Sequence, residues 1–531
     1  MPVKPDFDVI IVGSGPAGVS AAFPLVESGL TVLMVDGGHH AALVPPEQAF
    51  LEAREQDVNQ WKWMIGKDFH ALQNRDAVSP KLRVPVHGYV FEDFGTVNRI
   101  EPEGFVTVGS LAPGGLSSAW GCGVARLSEA ELSEFPIHGS DIGQSYESVA
   151  KRIGISRRQD DDLSEYFGLD ACSQPPIKMD ALHTYLYSRY QKNQASLGQL
   201  GFRLGRSRVA VLSEGHAGRM ACDFLKNCLW GCHRRAMYSA ADELHSLKQY
   251  ENFHYESGFV VAEIVRNENG WSIEGQRGSQ GGASLSARKV MLAAGTLAST
   301  RFALQALKLT RPVPLLSCPT AAFLLWLPRL TGCQRTRAFG LGQLSYAMGI
   351  QEGVSAFGST FGTTGILVSE FVRHLPMSRR YGIDLLANLL SSCLVGNVYL
   401  PGHLSTAKAT LTNDGSLLVD GGYSDQVPDL MDAARKKLRK VYWRLGAFFL
   451  PMSFTVGSPG GDIHYAGTLP MRETPALGET SALGELCGAK GVHVVDGACL
   501  PTLAEKSHTL TIMANADRIA RALAKSLNYV S

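Results

Sequence analysis

Asp8-Val-Ile-Ile-Val12, Gly13-Ser-Gly15-Pro-Ala-Gly18, Val19-Ser-Ala-Ala-Phe23 and, after a short gap, Thr31-Val-Leu-Met-Val-Asp36 decide the reading of this chain. An apolar run, a glycine turn, a small-residue helical stretch and a second apolar run ending on an acid is the order of a dinucleotide-binding βαβ unit. Gly13 allows a turn too tight for a Cβ. Gly15 lets the backbone approach a diphosphate, and Gly18 lets the helix pack against the strand. The diphosphate is expected on the helix N-terminus, where free N–H groups and the positive dipole end favour an anion. Asp36, twenty-three residues after Gly13, is placed to accept hydrogen bonds from an adenosine ribose.

Working outward, 531 residues suffice for two or three domains and a large core. Fifty basic against forty-nine acidic side chains give a net charge of +1, which argues against nucleic acid or an anionic membrane as partner. Fifty-six glycines suit a fold with many tight turns. No run of eighteen apolar residues exists, so no transmembrane anchor is expected. Met1-Pro-Val-Lys-Pro-Asp6 enters the first strand without a signal-like apolar segment, so a cytoplasmic location is expected, with the ten cysteines mostly thiols.

Gly114-Gly-Leu-Ser-Ser-Ala-Trp-Gly-Cys-Gly123 is a second glycine-rich loop. Residues 41–110, with turn signals and a polar segment at Gln56–Arg75, are expected to cover part of the cofactor. Residues 126–155 read as an amphipathic helix and residues 175–250 as helix-rich. Strand-like runs follow at Phe259–Val265, Trp271–Gly275 and Val290–Ala293. The last enters Ala294-Gly295-Thr296, a second strand–turn–helix that again puts a glycine where close backbone approach is useful. Residues 310–460 have another character, with strand-like alternation near Gly340–Ile350 and Val398–Leu418. Ala321–Arg329 is apolar and expected to be buried or to line a pocket, and a basic helix from Pro428 to Leu445 is expected to present a solvated face. A final strand at Val492–Val495 precedes a helix from Thr509 to Leu527. Cys222, Cys228 and Cys232 are too widely spaced, and too few, for a structural metal site, so no metal is expected. Cys122 is expected to pack.

Two histidines stand out by context: His464 in His-Tyr-Ala-Gly-Thr468, and His508 in Ser-His-Thr-Leu-Thr511. Imidazole titrates near neutrality, so such a pair can take a hydroxyl proton and hold the resulting alkoxide. Loss of hydride from an alcohol carbon needs that alkoxide character.

Five blocks, Val12–Asp36, Gly114–Arg126, Ala293–Thr300, His464–Thr468 and Val494–Asp517, together resemble the glucose–methanol–choline family of FAD-dependent alcohol oxidases and dehydrogenases. The loop around Trp120 is more similar to the pyranose 2-oxidase branch. The resemblance implies an α/β fold: a Rossmann-type FAD-binding domain assembled from residues 1–165, 205–310 and 456–531, and a substrate domain of antiparallel sheet and helices from 166–204 and 311–455. It makes His464 the catalytic base and His508 its partner. It assigns to the cofactor Gly13, Gly15, Gly18, Asp36, Gly114, Gly115, Ser118, Trp120, Gly121, Val261, Gly295, Asp496, Gly497 and Thr509. Where the pyranose 2-oxidase branch has a flavin-linked histidine this chain has Ala119, so noncovalent FAD is expected.

The implied reaction is oxidation of an alcohol, in the first instance a sugar or glycoside hydroxyl, with hydride transfer to flavin N5. The alternative is a dehydrogenase of a sterol or aryl alcohol that uses a quinone or carrier; the electron acceptor is open between these and oxygen. NAD in place of FAD is disfavoured, because the Gly114 loop and the Asp496-Gly497 block have no role in a plain NAD fold.

Overall fold

The structure is a computed structural model that describes residues 6–49, 52, 58–66, 70–73, 79–168, 172–278, 281–334, 336–363, 371–372 and 375–528. Met1–Pro5 and part of the polar Gln56–Arg75 segment lie outside the described residues. The principal strands, in chain order, are β1 (Phe7–Val12), β2 (Val32–Asp36), β3 (Phe202–Arg206), β4 (Phe253–Ser257), β5 (Phe259–Asn267), β6 (Gly270–Arg277), β7 (Gly282–Leu292), β8 (Thr320–Trp326), β9 (Leu344–Gln351), β10 (Val354–Gly362), β11 (Cys393–Tyr399) and β12 (Val492–Val494). The principal helices are α1 (Pro16–Glu27), α2 (Gly139–Ile153), α3 (Ala181–Gly198), α4 (Thr296–Leu307), α5 (Arg379–Leu389), α6 (Val427–Arg444) and α7 (Thr509–Asn528).

The apolar runs of β1 and β2 carry no alternation because both faces are covered, as a parallel sheet requires. β4, β2, β1 and β7 lie side by side and parallel, and β12 adds a further parallel strand along the end of β7. The first half of β7 turns outward to pair antiparallel with β6, and β6 with β5. This sheet therefore draws strands from the two ends of the chain and from its middle.

A second sheet is antiparallel throughout, in the order β8, β11, β10, β9, β3. Its strands divide their side chains between two jobs. Phe202, Phe323, Tyr346 and Val398 point into a core closed by α3 and α6 through Leu186, Tyr190, Leu438 and Tyr442. The alternate residues, among them Ala322, Phe357, Asn397 and Tyr399, face a cavity against the first sheet. The mixed α/β fold, a Rossmann-like sheet beside an antiparallel sheet with helices, is as the sequence implied.

Local expectations needed correction in two places. Residues 126–138 are turns, and the helix begins only at Gly139, where His138 and Asp141 form a reciprocal cap. Between α3 and the short helix Ala240–Leu247, residues 175–250 are not helix-rich: β3 and a long irregular stretch intervene. The apolar side chains of that stretch, such as Val209, Val211 and Cys228, pack into a small core of their own, which irregular backbone does as well as a helix. A third, smaller sheet joins Val313–Pro314, Lys408–Leu411, Leu417–Asp420 and Ile100–Glu103. Among the described residues no helix is long and apolar enough to cross a membrane.

Candidate active site

Between the two sheets lies a cavity of about 1120 Å³, beyond the range of roughly 300–1,000 Å³ usual for one small ligand. One end is the glycine turn. Gly13 takes φ +106°, and a Cβ there would meet the Ala293 carbonyl oxygen at 2.3 Å; at Gly18 it would meet the Gly13 oxygen at 2.0 Å. Gly15 is different: its nearest neighbour would be the Gly115 Cα at 3.9 Å, so bare backbone faces the cavity at the start of α1. The carboxylate of Asp36 lines the same end and accepts from Ser14 Oγ, from Tyr255 OH at 2.6 Å and from Gly38 N at 3.0 Å. Burial raises its pKa, against those three bonds, which lower it.

The second glycine loop is laced to this end by a bond from Gly114 N to Ser14 Oγ at 3.2 Å. Gly115, Trp120 and Gly121 line the cavity; Lys81 Nζ donates to the Trp120 carbonyl from a buried position beside them. Cys122 is fully buried and burial pushes its thiol up to about 12, so it packs as expected. At the middle of the cavity Gly295, Asp496 and Gly497 meet. Asp496 accepts from Gly295 N at 2.9 Å, Ala498 N at 3.0 Å and Ser299 Oγ at 2.5 Å, tying the two turns together, and burial raises its pKa to about 6. Thr509, the first residue of α7, lines the cavity too.

His464 and His508 come together here. The His464 loop is pinned by Gly467 N to the Gly497 oxygen at 3.1 Å, by Leu469 N to the Ala498 oxygen at 2.8 Å and by Thr296 Oγ1 to the Tyr465 oxygen at 2.7 Å. His508 stands just before α7, its carbonyl accepting from Ile512 N at 2.9 Å. That helix is fixed in turn by Ser145 Oγ on Asp517 at 2.7 Å and Tyr146 OH with Thr511 Oγ1 at 2.7 Å. The two imidazole centroids are 4.8 Å apart with planes at 87°. Burial depresses both pKa values, His464 to about 4 and His508 well below the ordinary imidazole range, where the neighbouring His464 adds to the effect. Both rings are therefore neutral at pH 7. His464 keeps 26% of its side-chain surface open, and Nδ1 of each ring is buried without a hydrogen-bond partner.

The sequence reading missed what surrounds the pair. Asp462 Oδ2 lies 3.8 Å from His464 Nδ1, held by Ser317 Oγ at 2.8 Å and Cys318 N at 2.7 Å, and burial raises its pKa to about 7. It stands two residues before the histidine, and that spacing was the available signal. Cys318 Sγ also lies within 4.8 Å of this pair. Three donors, two of them already bonded within the protein, are fewer than the four of a structural zinc site. The ring of Tyr399 packs at 5.4 Å from His464, and nothing in its own stretch of sequence marked it.

Four expected residues do not line the cavity. Gly18 and Gly114 act one layer back, through packing and the bond to Ser14. Ser118 bonds to the Pro113 oxygen and to Ser239 Oγ, both at 3.1 Å. Val261 is a correction: the alternation of β5 turns it into the core of the first sheet, and the structure does not bring it to the site.

Residues 7–91 match the family profile of pyridine nucleotide-disulphide oxidoreductases. No curated protein sequence matches the chain. Pyridoxine 4-oxidase from Mesorbium loti has a similar structure, with a TM-score of 0.62 over 97% of this chain and 99% of that one, at 16% identity. That likeness is one of fold. The matched segment, with Gly13, Gly15, Gly18 and Asp36 in place, makes the chain an FAD-dependent oxidoreductase.

Proposed function

We propose that the chain is a flavoenzyme of glucose–methanol–choline type that oxidises an alcohol to a carbonyl, with His464 and His508 as its catalytic pair. The observation that carries this reading is the perpendicular pair of neutral imidazoles, each with a buried, unpartnered nitrogen, between the dinucleotide end of the cavity and the face of the second sheet. The residues present fit FAD: bare backbone at Gly15 and the start of α1 for the diphosphate, Asp36 for the ribose, and Gly115, Trp120, Gly295, Gly497 and Thr509 for the rest. The division into a cofactor domain (1–165, 205–310, 456–531) and a substrate domain (166–204, 311–455) accompanies this reading. So does noncovalent attachment, since Ala119 offers no nucleophile. A chain with ten cysteines read mostly as thiols suits a reducing cytoplasmic setting.

His464 takes the hydroxyl proton, and its low pKa keeps it ready to do so at neutral pH. His508 hydrogen-bonds the oxygen as negative charge builds on it. Asp462, once ionised, stabilises the His464 imidazolium from the Nδ1 side, leaving Nε2 for the substrate. FAD, when bound, supplies the two-electron acceptor for the hydride that leaves the carbon. The products are a carbonyl compound and one proton on His464.

The cavity favours an alcohol with an apolar body. Its floor shows Ala322, Leu324, Phe357, Phe361 and Val395. The polar groups among them bond to one another: Ser207 with Ser345 at 2.8 Å, Ser345 with Ser359 at 2.9 Å, Asn397 Oδ1 from Ser359 N at 2.7 Å and Asn397 Nδ2 to Tyr399 OH at 3.1 Å. A site that recognises a sugar leaves such groups free for its hydroxyls. A sugar remains the second reading, on the similarity of the Gly114–Gly123 loop to the pyranose 2-oxidase branch. Anaerobic reduction of the purified flavoprotein by a panel of alcohols and sugars tests both. Bleaching by aryl or sterol alcohols is expected; bleaching by sugars alone overturns the apolar reading, and bleaching by none overturns alcohol oxidation. Repeating the assay in air separates oxygen from a quinone or carrier as acceptor.

A further inference from the structure

The cavity opens at a face whose character the overall charge conceals. Met452 and Val456 line the cavity and are also 69% and 48% exposed, so they mark its mouth. Beside them stand exposed Phe448 and Trp443, exposed Met377 just before α5, and exposed Tyr381, Ile383 and Leu385 on it. The two groups stand on a shared support: Leu386 of α5 belongs to a small core against which Trp326 and Leu450 pack, and the Trp326 ring lies 6.4 Å from that of Phe448. Eight of the fifteen large apolar side chains exposed among the described residues thus fall between positions 377 and 456. Concentrations of this kind mark an interaction site.

The flank of the patch is cationic. Helix α6 carries six basic residues, Arg435, Lys436, Lys437, Arg439, Lys440 and Arg444, against Asp429 and Asp432. Its apolar face is buried under the second sheet, while Lys436, Arg439, Lys440 and Trp443 form an exposed stripe that runs toward the mouth. Arg379 and Arg380 open α5 on the other side. A second copy of the chain, seated by two-fold symmetry, would bring two such cationic helices together. An anionic surface satisfies both halves of the pattern.

We propose that this face docks on an anionic lipid surface, with Trp443, Phe448, Met452 and Val456 at the headgroup boundary and the α6 cations against lipid phosphates. An alcohol dissolved in the bilayer then reaches the cavity without crossing water. This last step rests on the proposed oxidation of an apolar alcohol; the docking does not.

The test is cosedimentation of the full, FAD-loaded chain with vesicles of phosphatidylcholine and with vesicles that also contain phosphatidylglycerol. Binding at least about ten-fold stronger to the anionic vesicles is expected, weakening as salt is added. The double reversal R439E/K440E should reduce it by about thirty-fold or more, since each cation near such a surface is worth roughly a five-fold change. Trp443→Ser and Phe448→Ser should weaken it while bound flavin and Tm stay unchanged, which separates docking from folding. Equal weak binding to both vesicles overturns the proposal, as does a double reversal that binds like the parent. So does a dimer that Trp443→Ser dissociates while vesicle binding stays at background. Vesicle binding requires no turnover, so a chain that binds lipid yet reduces its flavin with no alcohol refutes the reaction alone.

Discussion

The imidazole of His508 stands edge-on to that of His464 at a centroid separation of 4.8 Å, although the two residues come from different loops. Neither ring makes a hydrogen bond through Nδ1, and both are neutral at pH 7. An arrangement that leaves polar atoms unsatisfied in a buried place carries a cost in stability, which a catalytic site bears for the sake of its substrate.

His464→Ala should slow anaerobic flavin reduction by about 10³-fold, within the range for loss of a general base, with the flavin still bound. His508→Asn, which retains a donor, should cost about 10²-fold or less. Stopped-flow absorbance of the flavin measures both. An unchanged rate in His464→Ala removes the proposed base.

Asp462 should govern the pH profile. Burial lifts its pKa to about 7, so the carboxylate behind His464 Nδ1 forms as pH rises through that value, and flavin reduction should accelerate over the same interval. In Asp462→Asn the rise near pH 7 should vanish and the rate stay at its acid-side level. A profile that keeps its inflection in the variant assigns it to another group.

Acid stability follows from the same burial. The folded chain holds His464 unprotonated down to about pH 4, whereas an unfolded histidine takes its proton near 6.5. Between those values the unfolded state binds more protons, so stability falls as pH falls. Asp462 acts oppositely, since a raised carboxyl pKa favours the folded state below about 4 and loses that advantage as pH climbs toward 7. Replacing both histidines by Gln should flatten the acid loss between pH 6.5 and 4, as measured by urea unfolding at several pH values.

Two glycines should separate folding from cofactor binding. Gly18→Ala places a Cβ 2.0 Å from the Gly13 oxygen and should destabilise by about 2–3 kcal/mol as well as lose flavin. Gly121→Ala meets no atom within 4 Å and should leave the Tm of the flavin-free protein unchanged. Absorbance near the flavin band and thermal melts of each variant decide.

Tyr442→Phe should stabilise by about 1 kcal/mol, because its buried hydroxyl has no partner and phenylalanine keeps the ring packing against Phe202 and Phe323. Urea unfolding measures it; a loss of stability shows that the hydroxyl is bonded.

The glycine spacing from Gly13 to Asp36 was legible because each position answers a separate demand: Gly13 and Gly18 sit where a Cβ would collide with backbone, and Gly15 leaves bare backbone facing the cavity. The histidines were legible through their neighbours. Asp462 was not, since a single acid near a histidine is common and its burial becomes visible only once Ser317 and Cys318 are folded against it. The role of β8 was half legible: Phe323 and Leu324 are both apolar, so nothing in their order tells which serves the core and which the cavity. Residues 207–239 misled because their apolar side chains fill a pocket of irregular backbone, and hydrophobic spacing alone does not distinguish that from a helix.

Helix α1 rests along α7, and β12 completes the sheet begun by β1, although nearly five hundred residues of chain separate the two helices. The helix behind the phosphate-binding turn and the helix that follows His508 are therefore one packing unit, so a substitution that loosens α7 against α1 should disturb both ends of the cavity at once.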